Sequence, residues 1–101
     1  MNNTLRIEIT DDARLQIATA SAWWSENRPA APDAVLEELD RVLDLLAVQP
    51  EIGTRARRAI LSDVRRVTLS RIRYHLCYRV RKDAVQVLAL WHTSRELGPI
   101  I

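Results

Sequence analysis

The pattern between Val64 and Arg95 constrains the fold more than any other part of the chain. Apolar and polar residues alternate through most of this stretch, and a period of two residues is typical of strands that bury one face and expose the other. In the middle, one set of alternate positions is apolar, namely Ile72, Tyr74, Leu76, Tyr78 and Val80. The intervening positions are Arg73, His75, Cys77, Arg79 and Arg81. The pattern therefore predicts a sheet whose exposed face carries arginine and histidine.

Three strands account for this stretch, over residues 64–70, 72–80 and 84–91. A tight link at Ser70 and Arg71 separates the first two strands, and a turn around Arg81, Lys82 and Asp83 separates the last two. Strands joined by such short links must be antiparallel neighbours.

The sequence before residue 28 is predicted to form one strand and one helix. Residues 5–10 alternate and form a strand, which must join the same sheet because a lone strand leaves its backbone groups unpaired. Thr10 or Asp11 then caps a helix that runs to about Asn27. Its inward stripe consists of Ala13, Ile17, Ala20 and Trp24, widened by Leu15, Ala18 and Ala22. Of the adjacent Trp23 and Trp24, one is expected to anchor the helix and the other to lie at a boundary.

A second helix is predicted from Ala34 to about Val48, with Asp33 as its cap and Pro50 beyond its end. The apolar stripe is formed by Val35, Leu36, Leu39, Val42, Leu43 and Leu46. The residues expected to face water are Glu37, Glu38, Asp40, Arg41 and Asp44. Because the connection between the two helices is short, they should form an antiparallel hairpin. Residues 54–63 have weak periodicity and are interpreted as a basic connector.

The element order is therefore β-α-α-β-β-β, which predicts an α+β fold. We expect a largely antiparallel four-stranded sheet with a two-helix hairpin packed on one face. A chain of 101 residues forms one small domain, predicted to span residues 1–101.

Composition limits the possible classes of function. Cys77 is the only cysteine, so no disulfide framework or thiolate metal cluster is expected. No apolar run reaches the length of a membrane helix, and the first residues lack the apolar stretch of a signal peptide. We therefore expect a cytoplasmic protein that does not enter a membrane. No phosphate-binding loop or metal-ligand spacing occurs, so no cofactor or metal is expected.

The charge is divided unevenly along the chain. Residues 1–51 carry four arginines against ten acidic residues, a balance of −6. Residues 55–82 carry nine arginines and Lys82 against Asp63 alone, a balance of +9. The guanidinium group binds phosphate and carboxylate through paired hydrogen bonds. This distribution indicates a surface for a polyanion or an acidic partner, although a solvated surface that only balances the acidic half remains the alternative.

Four segments together resemble the RelE/ParE toxin superfamily of bacterial and archaeal type II toxin–antitoxin systems. They are Pro50-x-x-Gly53, V-R-R-V-T-L-S-R at 64–71, R-Y-H-L-C-Y-R-V at 73–80 and V-L-A-L-W-H-T-S-R at 87–95. The resemblance implies a growth-inhibiting toxin that a cognate antitoxin neutralises by wrapping it, in a complex that can form a hetero-oligomer.

The superfamily divides by target. RelE-type members resemble ribonucleases that cleave messenger RNA on the ribosome, whereas ParE-type members are described as inhibitors of DNA gyrase. RelE-type toxins are usually rich in lysine, and many rely on an aromatic or acidic residue near the C-terminus, for which Glu51 and Glu96 are the carboxylate candidates here. This chain has one lysine, and no aromatic residue follows His92. The resemblance thus favours a ParE-like inhibitor, with a RelE-like endoribonuclease and a non-toxic nucleic-acid-binding module as alternatives.

The candidate site residues depend on which alternative holds. For a RelE-like enzyme, His92 is the candidate acid or base, since its unperturbed pKa is about 6.5, with Arg73 and Arg95 beside it. A histidine at the end of a packed strand can equally well satisfy a backbone group. The residues predicted to bind the target, nucleic acid or the acidic antitoxin are Arg65, Arg66, Arg71, Arg73, His75, Arg79 and Arg81.

Overall fold

A computed structural model gives the structure of residues 4–56 and 61–95. The chain order is one strand, two helices, a short 3-10 helix and four further strands. Their bounds are β1 Arg6–Ile9, α1 Asp11–Asn27, α2 Ala34–Val48, the 3-10 helix Pro50–Ile52, β2 Thr54–Arg55, β3 Val64–Leu69, β4 Tyr74–Arg81 and β5 Ala84–His92.

The strands form one mixed sheet in the order β1-β5-β4-β3-β2. The predicted α+β class, the antiparallel run β3-β4-β5 and the joining of the first strand are confirmed. The predicted number of four strands is wrong, because β2 pairs with β3 and makes a fifth. Two paired residues are too few to produce a visible period, so this part of the chain resembled a connector. The only parallel pair among the described strands is β1 with β5.

Helix α1 begins where the sequence predicted. The Thr10 side chain accepts a hydrogen bond from the backbone N–H of Ala13 at 3.2 Å, which is the usual role of an N-cap threonine. Ala13, Ile17 and Ala20 are buried against the core. The predicted widening of the stripe is wrong: Leu15 is 69% exposed, and Ala18 and Ala22 are exposed too. Burial is confined to the side that packs on β5 and α2.

The two adjacent tryptophans divide as predicted. Trp24 is half-buried and packs against the core, whereas Trp23 is 46% exposed. The guanidinium carbon of Arg28 lies 5.4 Å from the centre of the Trp23 ring, within the range of a cation–π contact.

Helix α2 has the predicted bounds but differs in three side chains. Leu36, predicted to lie in the apolar stripe, is 46% exposed. Asp33 occupies the N-cap position without a side-chain capping bond. Glu38 was expected to face water but is 8% exposed. Its carboxylate accepts hydrogen bonds from Arg41 at 3.1 and 3.4 Å, and Arg71 lies 3.7 Å away. The two arginines compensate the charge that the carboxylate would otherwise carry unpaired.

A hydroxyl group holds the segment after α2 in place. Tyr78 on β4 donates to the carbonyl of Pro50 at 2.6 Å and accepts from the N–H of Gly53 at 2.9 Å. A Cβ atom at position 53 would lie 2.6 Å from this hydroxyl. The Pro50-x-x-Gly53 motif therefore turns the chain where only glycine leaves room for the tyrosine.

We call the sheet face covered by α1 and α2 the inner face, and the opposite face the outer face. The main core lies between the helices and the inner face, where Leu76 and Tyr78 of β4 and Val85 and Val87 of β5 are fully buried. Between β4 and β5 the register shifts, since Cys77 pairs with Ala89 but Tyr78 pairs with Val87. Leu88 is the extra residue of this bulge.

The link between β3 and β4 is longer than predicted. It covers residues 70–73, so β4 begins at Tyr74 and not at Ile72. Ile72 is nevertheless fully buried, and Arg73 takes a φ of 61°, in the left-handed region. The prediction that Arg73 lies on a strand face is therefore wrong. The apolar–polar alternation of the sequence includes Ile72 because this turn residue packs its side chain into the core, and not because it belongs to a strand.

None of the helices in the described part of the chain is long and apolar enough to span a membrane.

Candidate interaction surface

The outer face carries polar and charged side chains from the three central strands. Each position follows from the alternation of the strands and from the pairing of Arg66 with Cys77 and of Thr68 with His75. The outward positions, polar and apolar together, are Val64, Arg66 and Thr68 of β3, His75, Cys77, Arg79 and Arg81 of β4, and Ala84, Gln86, Ala89 and Trp91 of β5. The prediction of alternate arginine and histidine positions on β4 thus holds from His75 onward.

The alternation predicted an exposed outer face, but part of this face is buried. A second group of buried apolar side chains lies there, comprising Val64, Cys77, Leu88, Ala89 and Trp91, with Ala56 packed against it. The bulge at Leu88 explains part of this group, because it reverses which residues of β5 face outward. Trp91 consequently lies opposite His75, and His92 lies opposite Tyr74.

Three arginines of the outer face have no carboxylate partner among residues 4–56 and 61–95. Arg66 and Arg81 are exposed, and neither makes an ion pair with a described residue. Arg79 donates to the neutral side-chain amide of Gln86 at 2.8 Å. We call Arg66, Arg79 and Arg81 the outer arginines; their positive charge remains available to a ligand.

Two of the predicted binding arginines lie elsewhere and are occupied. Arg65 faces inward beside Tyr78 and donates to the carbonyls of Glu51 and Gly53 at 3.0 and 2.7 Å. Arg71 in the β3–β4 turn lies 3.3 Å from a Glu37 oxygen, on the helix side of the sheet. Arg65 and Arg71 therefore make intramolecular contacts that stabilise the fold.

Arg73 lies in the β3–β4 turn, at one end of the central strands, and is exposed. Its carbonyl accepts a hydrogen bond from the N–H of Thr93 at 2.9 Å. The β3–β4 turn is thereby joined to the chain that follows β5. Arg73 and His92, which sequence reasoning placed in one site, therefore belong to neighbouring segments.

His75 is half-buried between two residues of neighbouring strands. Its Nδ1 lies 2.9 Å from the Thr68 hydroxyl, and its ring centre lies 5.4 Å from that of Trp91. Burial, followed by the charge of Arg66, lowers the pKa of His75. The neutral imidazole is therefore favoured at neutral pH, and the outer arginines supply the positive charge of this face.

His92 is fixed by the turn that follows it. The backbone N–H of Ser94 donates to His92 Nδ1 at 3.1 Å, and the Ser94 hydroxyl is 2.8 Å from the same atom. A backbone N–H can only donate, so Nδ1 accepts and Nε2 carries the ring proton. His92 also contacts Tyr74 edge to face at 5.2 Å. Arg95 donates its backbone N–H to the His92 carbonyl at 3.1 Å and has an exposed side chain.

An open depression of about 220 Å³ lies beside the 3-10 helix. Its lining residues are Pro50, Glu51, Arg55, Asp63, Arg65 and Val80. Two carboxylates and two guanidinium groups leave this depression with little net charge. Among the described residues, no group of three histidine, cysteine or acidic side chains is arranged to bind a metal ion.

Sequence reasoning missed two features that shape the site. The bulge at Leu88 leaves no signature in the alternation of β5, since residues 87–91 are all apolar. The second feature is the pair of hydrogen bonds between the Tyr78 hydroxyl and residues 50–53. The Pro50-x-x-Gly53 motif indicated a turn there, but the tyrosine is 25 residues away from Gly53 in the chain.

Comparison with known proteins identifies a family and solved structures of similar fold. The family described as the ParE toxin of type II toxin–antitoxin system, parDE, matches residues 7–97. A solved structure described as the chromosomal ParDE TA system from P. aeruginosa superposes with a TM-score of 0.62, covering 92% of this chain and 100% of the other. At 15% identity, the superposition shows a shared fold alone. No curated protein sequence matches this chain.

Proposed function

Because this chain belongs to the family of ParE toxins of type II toxin–antitoxin systems, we propose that it inhibits DNA gyrase. The family match over residues 7–97 carries this proposal. The resemblance already favoured the ParE-like reading, on the single lysine and the absence of an aromatic residue after His92. The toxin acts in the cytoplasm, where gyrase and its DNA are found.

The decisive experiment separates gyrase inhibition from messenger-RNA cleavage. Relaxed plasmid, gyrase and the purified chain are incubated together, and supercoiled product is measured against toxin concentration. In parallel, conditional expression in a bacterium is followed by sequencing of messenger-RNA ends. We expect supercoiling to fall while messenger RNA stays intact. Normal supercoiling with cleaved codons would contradict gyrase inhibition and support a RelE-like endoribonuclease.

His92→Ala sharpens the distinction. A gyrase inhibitor that acts by binding does not need an acid or base at this position, so expression of the variant should still arrest growth. A ribonuclease that uses His92 for proton transfer would lose its toxicity, typically by a factor of 10²–10⁴ in rate. Retained binding of the antitoxin shows that the variant is folded in either case.

The partner we propose is a cognate antitoxin whose acidic segment covers the outer face. The charge of +9 over residues 55–82 and the three outer arginines without described carboxylate partners favour an acidic chain there. Such a segment would neutralise the toxin by occluding the surface, and the pair would form a hetero-oligomer.

Charge reversal tests the antitoxin surface. Arg66→Glu/Arg79→Glu should reduce co-purification with the product of the neighbouring reading frame, because two attractions become repulsions. Arg14→Glu/Arg28→Glu changes the charge equally on α1 and just beyond its end, and serves as the matched control. Equal retention of the antitoxin by both variants would count against the outer face as its binding site.

A further inference from the structure

We propose that Arg66, Arg79 and Arg81 bind phosphate groups of duplex DNA. This inference rests on the proposed function for the source of the DNA, which is the duplex that gyrase holds. The toxin would then contact both the enzyme and its substrate.

The geometry of the outer arginines suits a regular polyanion. Arg79 and Arg81 are two residues apart on β4, so their side chains leave the same face about 7 Å from each other. Arg66 lies on the neighbouring strand, opposite Cys77 and diagonal to Arg79, at about 7–8 Å. One strand of DNA places a phosphate every ~3.4 Å along the helix axis. Three guanidinium groups at these separations can reach phosphates within a few nucleotides of one another.

The support beneath these arginines is rigid. All three arise from paired strands, and Val64, Cys77 and Ala89 between them are buried. Side chains based on a packed sheet lose less conformational freedom on binding than side chains on loops. The sheet therefore fixes the backbone positions from which the three outer arginines extend.

The chemistry of the face favours a phosphate backbone over bases. Single-stranded nucleic acids are usually bound through exposed aromatic rings on which bases stack. Trp91 is only 8% exposed, Tyr78 lies in the main core, and Tyr74 faces the helices. With no open aromatic platform in the described part of the outer face, the contact should be to the backbone of a duplex and independent of sequence.

Fluorescence anisotropy with a labelled duplex of about 20 base pairs tests the inference. Three phosphate contacts give a slope of about −2.7 in log K against log salt concentration, or about a fortyfold loss of affinity from ~50 to ~200 mM salt. The double variant Arg66→Gln/Arg81→Gln keeps one phosphate contact, so its loss of affinity from ~50 to ~200 mM salt should be only about threefold. Arg14→Gln/Arg28→Gln removes the same charge outside the outer face and should behave like the unmodified chain.

Three outcomes would overturn the inference: no measurable affinity for the duplex, a salt-independent affinity, or equal losses in the two double variants. The last would show that net charge alone attracts DNA. Gyrase supercoiling assays on the same variants separate this inference from the proposed function. If the unmodified chain binds DNA through the outer arginines but leaves supercoiling normal, gyrase inhibition fails and the DNA contact stands. If gyrase is inhibited equally by all variants and none binds DNA, the contact fails alone.

Discussion

Tyr78 shows how much one side chain decides in a small domain. Its ring is fully buried in the main core, and its hydroxyl satisfies both a donor and an acceptor of the 50–53 segment. Burial raises the pKa of Tyr78, so the hydroxyl keeps its proton and can donate to Pro50. The residue thus links β4 to the end of α2.

Tyr78→Phe should destabilise the fold by about 1–3 kcal/mol, because the Gly53 N–H and the Pro50 carbonyl lose their partner. Urea unfolding followed by circular dichroism measures the change. Tyr74→Phe is the control, since Tyr74 is half-buried and its hydroxyl makes no hydrogen bond to a described residue. Equal midpoints for the two variants would show that the hydroxyl contributes nothing.

Gly53→Ala should destabilise the chain by about 1–3 kcal/mol through overpacking. The reason is steric, because the new Cβ would lie 2.6 Å from the Tyr78 hydroxyl oxygen, while the Gly53 φ of −72° suits any residue. In the Tyr78→Phe background this oxygen is absent, so the cost of Gly53→Ala should be smaller. Strict additivity of the two free energies of unfolding would contradict this account.

At the scale of the helices, the two N-termini make a matched pair. Thr10 caps α1 with its side chain, whereas Asp33 at the start of α2 makes no side-chain capping bond. Thr10→Ala should therefore lower the free energy of unfolding by about 1 kcal/mol. Asp33→Ala should lower it by much less. A larger effect at Asp33, measured by thermal unfolding, would contradict the capping geometry.

The Glu38 carboxylate joins α2 to the β3–β4 turn and makes stability depend on pH. Hydrogen bonds from Arg41 hold the pKa of Glu38 below its ordinary value of 4.5. A lowered folded-state pKa contributes stability above the unfolded pKa, and this contribution is lost as the pH falls through the folded value. Glu38→Gln should therefore cost about 1 kcal/mol at pH 7, since the arginines are largely exposed.

Urea titrations of the unmodified chain and Glu38→Gln across the acid range check this prediction. The difference between them should shrink below pH 4.5 and vanish once the folded carboxylate is protonated. Glu37→Gln is a suitable control, because Glu37 is exposed in its ion pair with Arg71. A difference that stays constant from neutral to acid pH would show that the charge of Glu38 does not matter.

At the scale of the whole molecule, the reactivity of the Cys77 thiol measures whether the buried group on the outer face stays packed. Burial raises the pKa of this thiol to about 11, and it belongs to the buried group on the outer face. Alkylation of the folded chain near pH 8 should be at least about a hundredfold slower than alkylation in denaturant. Mass spectrometry measures the rate of labelling. Rapid labelling of the folded protein would show that the outer face opens without global unfolding.

The fold was largely predictable from the sequence because periodicity reports burial. The two helices and the antiparallel run of three strands came from residues whose alternation or helical spacing extends over many positions. The missed parts are those in which few residues or distant partners decide the structure. Two residues of β2 carry no period, Leu88 shifts the register inside an apolar run, and Ile72 continues the alternation from within a turn.

The candidate site was less predictable, since composition locates charge but not its partners. Arg65 and Arg66 are adjacent in sequence and looked equivalent. The pairing of β3 turns Arg65 inward to backbone carbonyls and leaves Arg66 outward. Arg71 was assigned to the same surface, but the acidic side chains of α2 bind it. Only the tertiary structure separates arginines that stabilise the fold from arginines that remain available.

The parallel pairing of β1 with β5 has a consequence for how the chain is made. Arg6 pairs with Ala84, and Ile9 with Val87, so β1, the first of the described strands to be synthesised, cannot pair until β5, the last of them, has followed. Contacts between such distant parts of a chain form slowly, because a large loop must close before they are gained. A copy translated only as far as β4 therefore has an incomplete sheet, and the toxin can adopt its finished fold only after β5 has been synthesised.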